Sequence, residues 1–235
     1  MHGTRRMIPE KIIPDIFKGL PVNAFFTTRT FNADPDTLKG QLQAEAIYLP
    51  VQKHTANIIV LDYELEPRIA DSVVTNREGL AIGVQVADCV PILMYDMKKQ
   101  VAGAVHAGWR GTAEGIVRKT IAVFRDRFGS SPEDIVMAVG PAVRGSCSQV
   151  GDEVVDAVSK ATGKGDYAQS RGDKHYIDLP SANRLQAMAD GVLPGNIWMS
   201  EECTHCLPDK YYSYRYSKGA AGRQYAFLSI DRSLL

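Results

Sequence analysis

Apolar residues along this chain recur in short runs set between polar turn formers, a pattern that predicts many strands and few helices. Strands are expected at Val22–Thr28 (VNAFFTT), Ile58–Leu61, Asp71–Thr75 and Gly79–Val86, and later at Ile135–Val139 and Asn196–Met199. Residues 29–36, rich in Asn, Asp and Pro, read as a loop. The densest stretch is Gln85–Gly111, QVADCVPILMYDMKKQVAGAVHAGWRG, where Asp96–Gln100 parts two apolar runs; it predicts two neighbouring strands joined by a tight connection. Tyr211–Tyr216 and Gln224–Ile230 read as closing strands around a turn at Lys218–Gly222.

Three segments change to helical spacing. Ile116, Thr120, Phe124 and Phe128 recur at helical intervals, with Thr112 as the expected cap and Gly129 as the stop. Gly151–Lys160 carries Val154, Val155 and Val158 on one side, and Ser181 is the expected cap of a third helix running through Leu185 and Met188 to Gly191. Strands and helices do not alternate regularly enough for a doubly wound sheet. The expected fold is therefore α+β, a mixed sheet with flanking helices, in one domain over residues 1–235.

Composition narrows the class without changing that picture. The chain has 235 residues, of which 45% are hydrophobic and 23% charged. A chain of that size and make-up can bury a substantial core. Lys plus Arg and Asp plus Glu are both 27, so no global positive field favours nucleic acid or anionic lipid. The start, MHGTRRMIPEKII, has no apolar run of signal-peptide length, and no stretch of membrane-spanning length occurs; the expected compartment is the cytoplasm. Four cysteines are too few for a disulfide framework in a chain this long. Cys147 reads as a small buried hydrophobe. Cys203 and Cys206 form a lone CxxC with no second pair to complete a four-thiolate site, which leaves a redox pair or two unrelated cysteines.

The candidate chemistry lies on the strand-rich half. Cys89 and His106 fall at the ends of the two central runs, and His54 precedes another strand well upstream of both. One thiolate and two imidazoles make a three-ligand zinc set with an open fourth position, the catalytic pattern. The same atoms also make a nucleophile and its base, Cys89 with His106, oriented by Asp88 or His54. Both residues also suit a core. Arg110, between a strand and a helix, is well placed for an anion, and Arg29, Arg215 and Arg223 could add to such a site.

Taken together, VADCVPILMYD, VAGAVHAGWRG, AVGP, ECT and YYSYRY followed by AGR closely resemble the YfiH-like, laccase-domain ("polyphenol oxidase") family from about Ala70 to the C-terminus. The resemblance implies a sandwich-like α/β domain and purine nucleoside phosphorylase activity on adenosine, inosine, guanosine and methylthioadenosine, with deamination of adenosine. It implies zinc, with copper in older descriptions, bound by His54 of Gln52-Lys53-His54, by Cys89 and by His106. Arg29, Arg110 and Arg215 would contact phosphate or ribose. The family's fold is grouped with cysteine hydrolases, so a Cys89–His106 hydrolase stays open. Five histidines are few for the several copper centres of a true laccase. The N-terminal region keeps FFTTR but shortens the glycine-rich segment that follows, and the family's QxHG reads Gln52-Lys53-His54-Thr55.

Overall fold

A computed structural model of the chain describes residues 11–219, 222–231 and 233. The reading of residues 1–10, His2 included, lies outside them, as do Ala220 and Ala221 of the expected closing turn. The elements in chain order are β1 (Lys11–Ile12), β2 (Val22–Thr27), α1 (Pro35–Leu42), β3 (Ala46–Tyr48), β4 (Ile58–Val60), β5 (Ser72–Thr75) and β6 (Leu80–Val86). They continue with β7 (Val90–Asp96), β8 (Val101–Ala107), α2 (Trp109–Ala113), α3 (Ile116–Phe128), β9 (Ile135–Val139), β10 (Gln149–Val150) and α4 (Asp152–Thr162). The last are β11 (Ala168–Arg171), β12 (Lys174–Ile177), α5 (Leu179–Ala189), β13 (Ile197–Met199) and β14 (Gln224–Ile230). Among the described residues no helix is long and apolar enough to cross a membrane.

Two mixed sheets pack face to face. One has the order β1-β2-β14-β6-β3 and the other β13-β9-β7-β8-β5-β4, with β10-β12-β11 as a small third sheet. Period-two alternation sends Ala24, Phe26, Ile82 and Val84 of the first sheet and Leu93, Tyr95, Ala102 and Ala104 of the second into one shared core. The opposite face of the six-stranded sheet, through Ile92, Met94, Val105 and Met137, packs on Ile116, Ile121 and Phe124 of α3. Full burial of each large apolar side chain is worth about 1.5–3 kcal/mol. Because β7 and β8 are covered on both faces, every one of their residues is buried. That double cover is why their sequence reads as unbroken apolar runs instead of alternating ones.

The β7–β8 hairpin closes where the sequence places it. Asp96 Oδ1 accepts the amide of Lys98 at 2.7 Å and that of Lys99 at 2.8 Å. This side-chain turn lets Asp96 pair with Val101. Other local expectations need correction. Thr112 caps nothing: it lies fully buried inside α2, held by the Asn183 amide at 2.9 Å, and Gly115 in left-handed conformation starts α3. Gly129 ends α3 as expected. Asp178, not Ser181, caps α5; its carboxylate accepts the Ser181 amide at 3.0 Å. Residues 211–216 form turns, not a strand, because their polar groups bond Asp88 and Gln224 instead of a ladder. Residues 35–42 fold as α1, capped by Asp34 with Pro35 in its first turn.

Candidate functional site

The hairpin register decides the first contact. Val90 pairs with Ala107 and Pro91 with His106, so Cys89, one residue ahead of β7, meets His106 near the end of β8. Next to β8 runs β5, with Ser72 opposite Val105; the preceding Asp71 therefore lies against His106. The His106 amide donates to the Asp71 carbonyl at 2.7 Å, and its ring Nδ1 donates to Asp71 Oδ1 at 2.7 Å. This bond holds a proton on Nδ1, so that in the neutral ring Nε2 carries the lone pair.

His54 arrives from a different segment, and the same carboxylate fixes it. Asp71 accepts the amides of Lys53, His54 and Thr55 at 3.3, 3.0 and 2.7 Å, and also the Thr55 hydroxyl at 2.7 Å. That nest of donors holds His54 at φ 58°. This left-handed conformation is uncommon for a non-glycine residue, and the hydrogen bonds from the segment to Asp71 offset its cost. Thr55, standing where the resembled family has glycine, thus adds a hydroxyl bond to the carboxylate. Gln52 clamps the segment to β6, its amide donating to the Gln85 carbonyl and accepting the Gln85 amide, both at 2.8 Å.

The result is a converging trio. Cys89 Sγ lies 3.9 Å from His54 Nε2, and the donor atoms of His54, Cys89 and His106 all lie within 4.8 Å of one another. Gly108 makes room: a Cβ there would stand 3.1 Å from the His54 ring and 3.2 Å from Cys89 Sγ. Tetrahedral zinc with one sulfur and two nitrogens would space its donors at about 3.3–3.6 Å, so a small contraction suffices and the residues fit the ion. A buried carboxylate behind a ligating histidine is the expected support of such a site.

The electrostatics agree. Burial disfavours the Asp71 carboxylate, yet hydrogen bonds from His106 and Thr55 outweigh it and hold the pKa at about 2. Burial likewise opposes charge on His106, but bonds to Asp71 and Cys89 raise it to about 9. Cys89 is pushed up by burial and pulled down further by His106 and His54, to about 6. Both shifts favour the charged forms, a thiolate on Cys89 and an imidazolium on His106.

A cavity of about 540 Å³ opens over these atoms. Its size lies within the range of small-molecule sites. Arg110, Arg215 and Arg223 line it. Arg110 lies over the Trp109 ring at 4.5 Å. Arg215 is fixed at both ends, its amide donating to Asp88 Oδ2 at 2.8 Å and its guanidinium to the Gln149 carbonyl at 2.9 Å. Asp88, next to Cys89 and itself at φ 85°, also accepts the Thr204 hydroxyl at 2.7 Å. Six of the expected residues, His54, Cys89, His106, Arg110, Arg215 and Arg223, line the cavity. Arg29 does not: its guanidinium donates to the Pro208 carbonyl and faces the Tyr212 ring at 5.1 Å. Sequence reasoning missed Asp71, which reads as an ordinary acid at a strand boundary; Asp88, expected as an orienter of the Cys89–His106 pair, instead holds Thr204 and the Arg215 amide, and Asp71 orients His106.

Against known proteins, the chain is 34% identical over 174 residues to purine nucleoside phosphorylase YlmD of Bacillus subtilis (strain 168), covering 73% of this chain and 63% of that protein. It is 34% identical over 194 residues to adenosine deaminase RL5 of an unknown prokaryotic organism, covering 76% and 74%. The crystal structure of YlmD from Geobacillus stearothermophilus superposes with a TM-score of 0.80 at 27% identity, covering 92% of this chain and 94% of that one. With residues 32–231 matching it, the chain belongs to the family described as multi-copper polyphenol oxidoreductase laccase.

Proposed function

We propose that this protein is a purine nucleoside phosphorylase that also deaminates adenosine, with residues 1–235 working as one unit and zinc held by His54, Cys89 and His106. One observation carries the reading: a three-donor set with a buried carboxylate behind it lies under a cavity lined by three arginines. The phosphorylase and deaminase names of its relatives support the substrate class.

In phosphorolysis a phosphate oxygen bonds to ribose C1′ while the C1′–N9 bond breaks with its electron pair going to N9, and the base takes up the proton that the hydrogen phosphate gives up. Arg110, Arg215 and Arg223 bind the dianion and hold it in line, and they offset its charge as the sugar becomes oxocarbenium-like. Asp88 keeps Arg215 in place through its backbone. Asp71 keeps the His106 ring oriented with Nδ1 protonated, which leaves Nε2 as the ring atom that would hold zinc on losing its proton. Zinc, when bound, supplies Lewis-acid activation of an oxygen nucleophile. In deamination a water oxygen adds at C6 of adenine and ammonia leaves, giving inosine. Adenosine, inosine, guanosine and methylthioadenosine are the proposed nucleosides.

The test incubates purified protein with inosine or adenosine, with and without phosphate and chelator. Ribose 1-phosphate plus free base, formed only with phosphate and lost on chelation, is the expected result. Conversion of adenosine to inosine with no phosphorolysis of either nucleoside would overturn the phosphorylase reading. A second reading has its own support in the Cys89–His106–Asp71 chain, the order of groups in a cysteine hydrolase. It predicts turnover that survives chelation and is abolished by covalent labelling of Cys89.

A further inference from the structure

Outside the cavity, the described residues contain a second thiol–imidazole grouping that the proposed reaction does not use. The donor atoms of Cys147, His205 and Cys206 all lie within 4.8 Å of one another, and none of the three belongs to the cavity lining. Cys147 Sγ and Cys206 Sγ are 3.1 Å apart across 59 residues of chain, both as free thiols.

Backbone contacts build this juxtaposition. Cys147 sits on a turn closed by its amide to the Arg144 carbonyl at 2.9 Å, and Cys206 on a turn closed to the Cys203 carbonyl at 3.1 Å. The two turns are joined by a bridge between Ala142 and Cys203 and by the Thr204 amide donating to the Ala142 carbonyl at 3.1 Å. The thiols meet because the main chain brings them together.

We propose that Cys147, His205 and Cys206 form a second metal site for a thiophilic cation of the zinc type. Two thiolates and an imidazole are a zinc donor set, and the CxxC spacing places two sulfurs on one turn. The sulfurs stand beyond the about 2.05 Å of a disulfide. They also stand inside the roughly 3.7 Å that two thiolates take around tetrahedral zinc, so a small side-chain rotation serves either chemistry. The imidazole favours the metal, because it adds a third donor where a disulfide needs only the two sulfurs.

An ion here would tie the segment after β9 to the segment that carries Arg215. Ser148 and Val150 line the cavity, and the carbonyl of Gln149 between them accepts the Arg215 guanidinium. Thr204, between Cys203 and His205, holds Asp88 beside Cys89. The site braces one wall of the cavity without touching what the cavity holds.

Counting zinc by atomic emission tests this on reduced, metal-stripped protein reloaded with zinc and desalted. The wild type is expected to hold two ions per chain, and Cys147→Ser/Cys206→Ser and His106→Ala one each. His205→Ala, which truncates a solvent-accessible side chain and spares the core, is expected to weaken the second ion if the double variant fails to fold. An unchanged zinc count in the double variant, or in His205→Ala where only that variant folds, would overturn the proposal. So would a wild type that binds one ion and loses it in His106→Ala. A metal-free protein that loses two thiols on air exposure, and takes no second ion when reduced, would assign the pair to a disulfide instead. Retention of both ions in His106→Ala would sink the cavity site and leave this one standing.

Discussion

Two groupings of thiol and imidazole donors coexist in this fold, and they differ in what stands behind them. His54, Cys89 and His106 come from strand ends and a constrained loop, and a carboxylate with no exposed surface, Asp71, bonds both histidine-bearing segments. Cys147, His205 and Cys206 come from two surface turns, with Cys206 exposed and no carboxylate supporting His205 among the described ion pairs. The first set is preorganised by buried charge and opens onto a cavity with three arginines. The second is held by the docking of two turns and by the Tyr216 ring beside His205. Similar donor sets thus stand in different surroundings: one lines a cavity, and the other lies where two distant turns meet.

The largest expected effect falls on the first set. His106→Ala should reduce phosphorolysis and deamination to background and remove the cavity ion; an active, metal-replete variant would erase the proposed distinction. Asp71→Asn should come next, with a loss of about 10–100-fold in activity or metal affinity, the usual cost of disturbing a residue behind a ligand.

The same carboxylate gives the comparison a pH signature. Asp71 sits at about 2 in the folded chain, below the roughly 3.9 of an unfolded aspartate. A depressed folded value means that its stabilisation is complete above the unfolded pKa and is lost as pH falls through about 2. Chemical denaturation of metal-free wild type and Asp71→Asn should therefore give curves that differ most near neutrality and converge on acidification. A gap that widens as pH falls would contradict the assignment.

Arg215→Met should raise the KM for phosphate by about 10-fold or more while leaving zinc content intact, the scale of a charge-assisted hydrogen bond worth about 1.5–3 kcal/mol. A loss confined to kcat would show that the guanidinium acts on the transition state and not on anion binding. The smallest effect belongs to the second set. Cys206→Ser should leave kcat close to wild type and lower the Tm of the zinc-loaded protein by about 2–4 °C, the shift that about 1 kcal/mol gives a chain of this size. The metal-free proteins should melt together.

Much of the strand framework was legible because its signals are local. The β7–β8 hairpin, the α3 face and the Gly129 stop each follow from the spacing of apolar residues or from one residue's conformational freedom. Several short strands were not legible, β1, β3 and β10 to β12, although β4 and β13, no longer than β3, were. The Tyr211–Tyr216 run misled because aromatic residues favour strands, yet here the segment spends its polar groups on Asp88 and Gln224 and forms turns over the cavity. The trio of donors was readable as candidates, but the residues alone left metal, nucleophile and core equally open.

By itself the sequence determined the kinds of donor present, the apolar runs that must be buried on two faces, and the hairpin that carries Cys89 to His106. Only the tertiary structure decided that Asp71 serves both histidine segments, that Arg29 is spent on the Pro208 carbonyl, and that Cys147 meets Cys206 across 59 residues. The physical reason is range. Periodicity and capping act over a few residues, whereas which carboxylate, guanidinium or thiol faces a given atom depends on sheet register and on the docking of turns far apart in the chain.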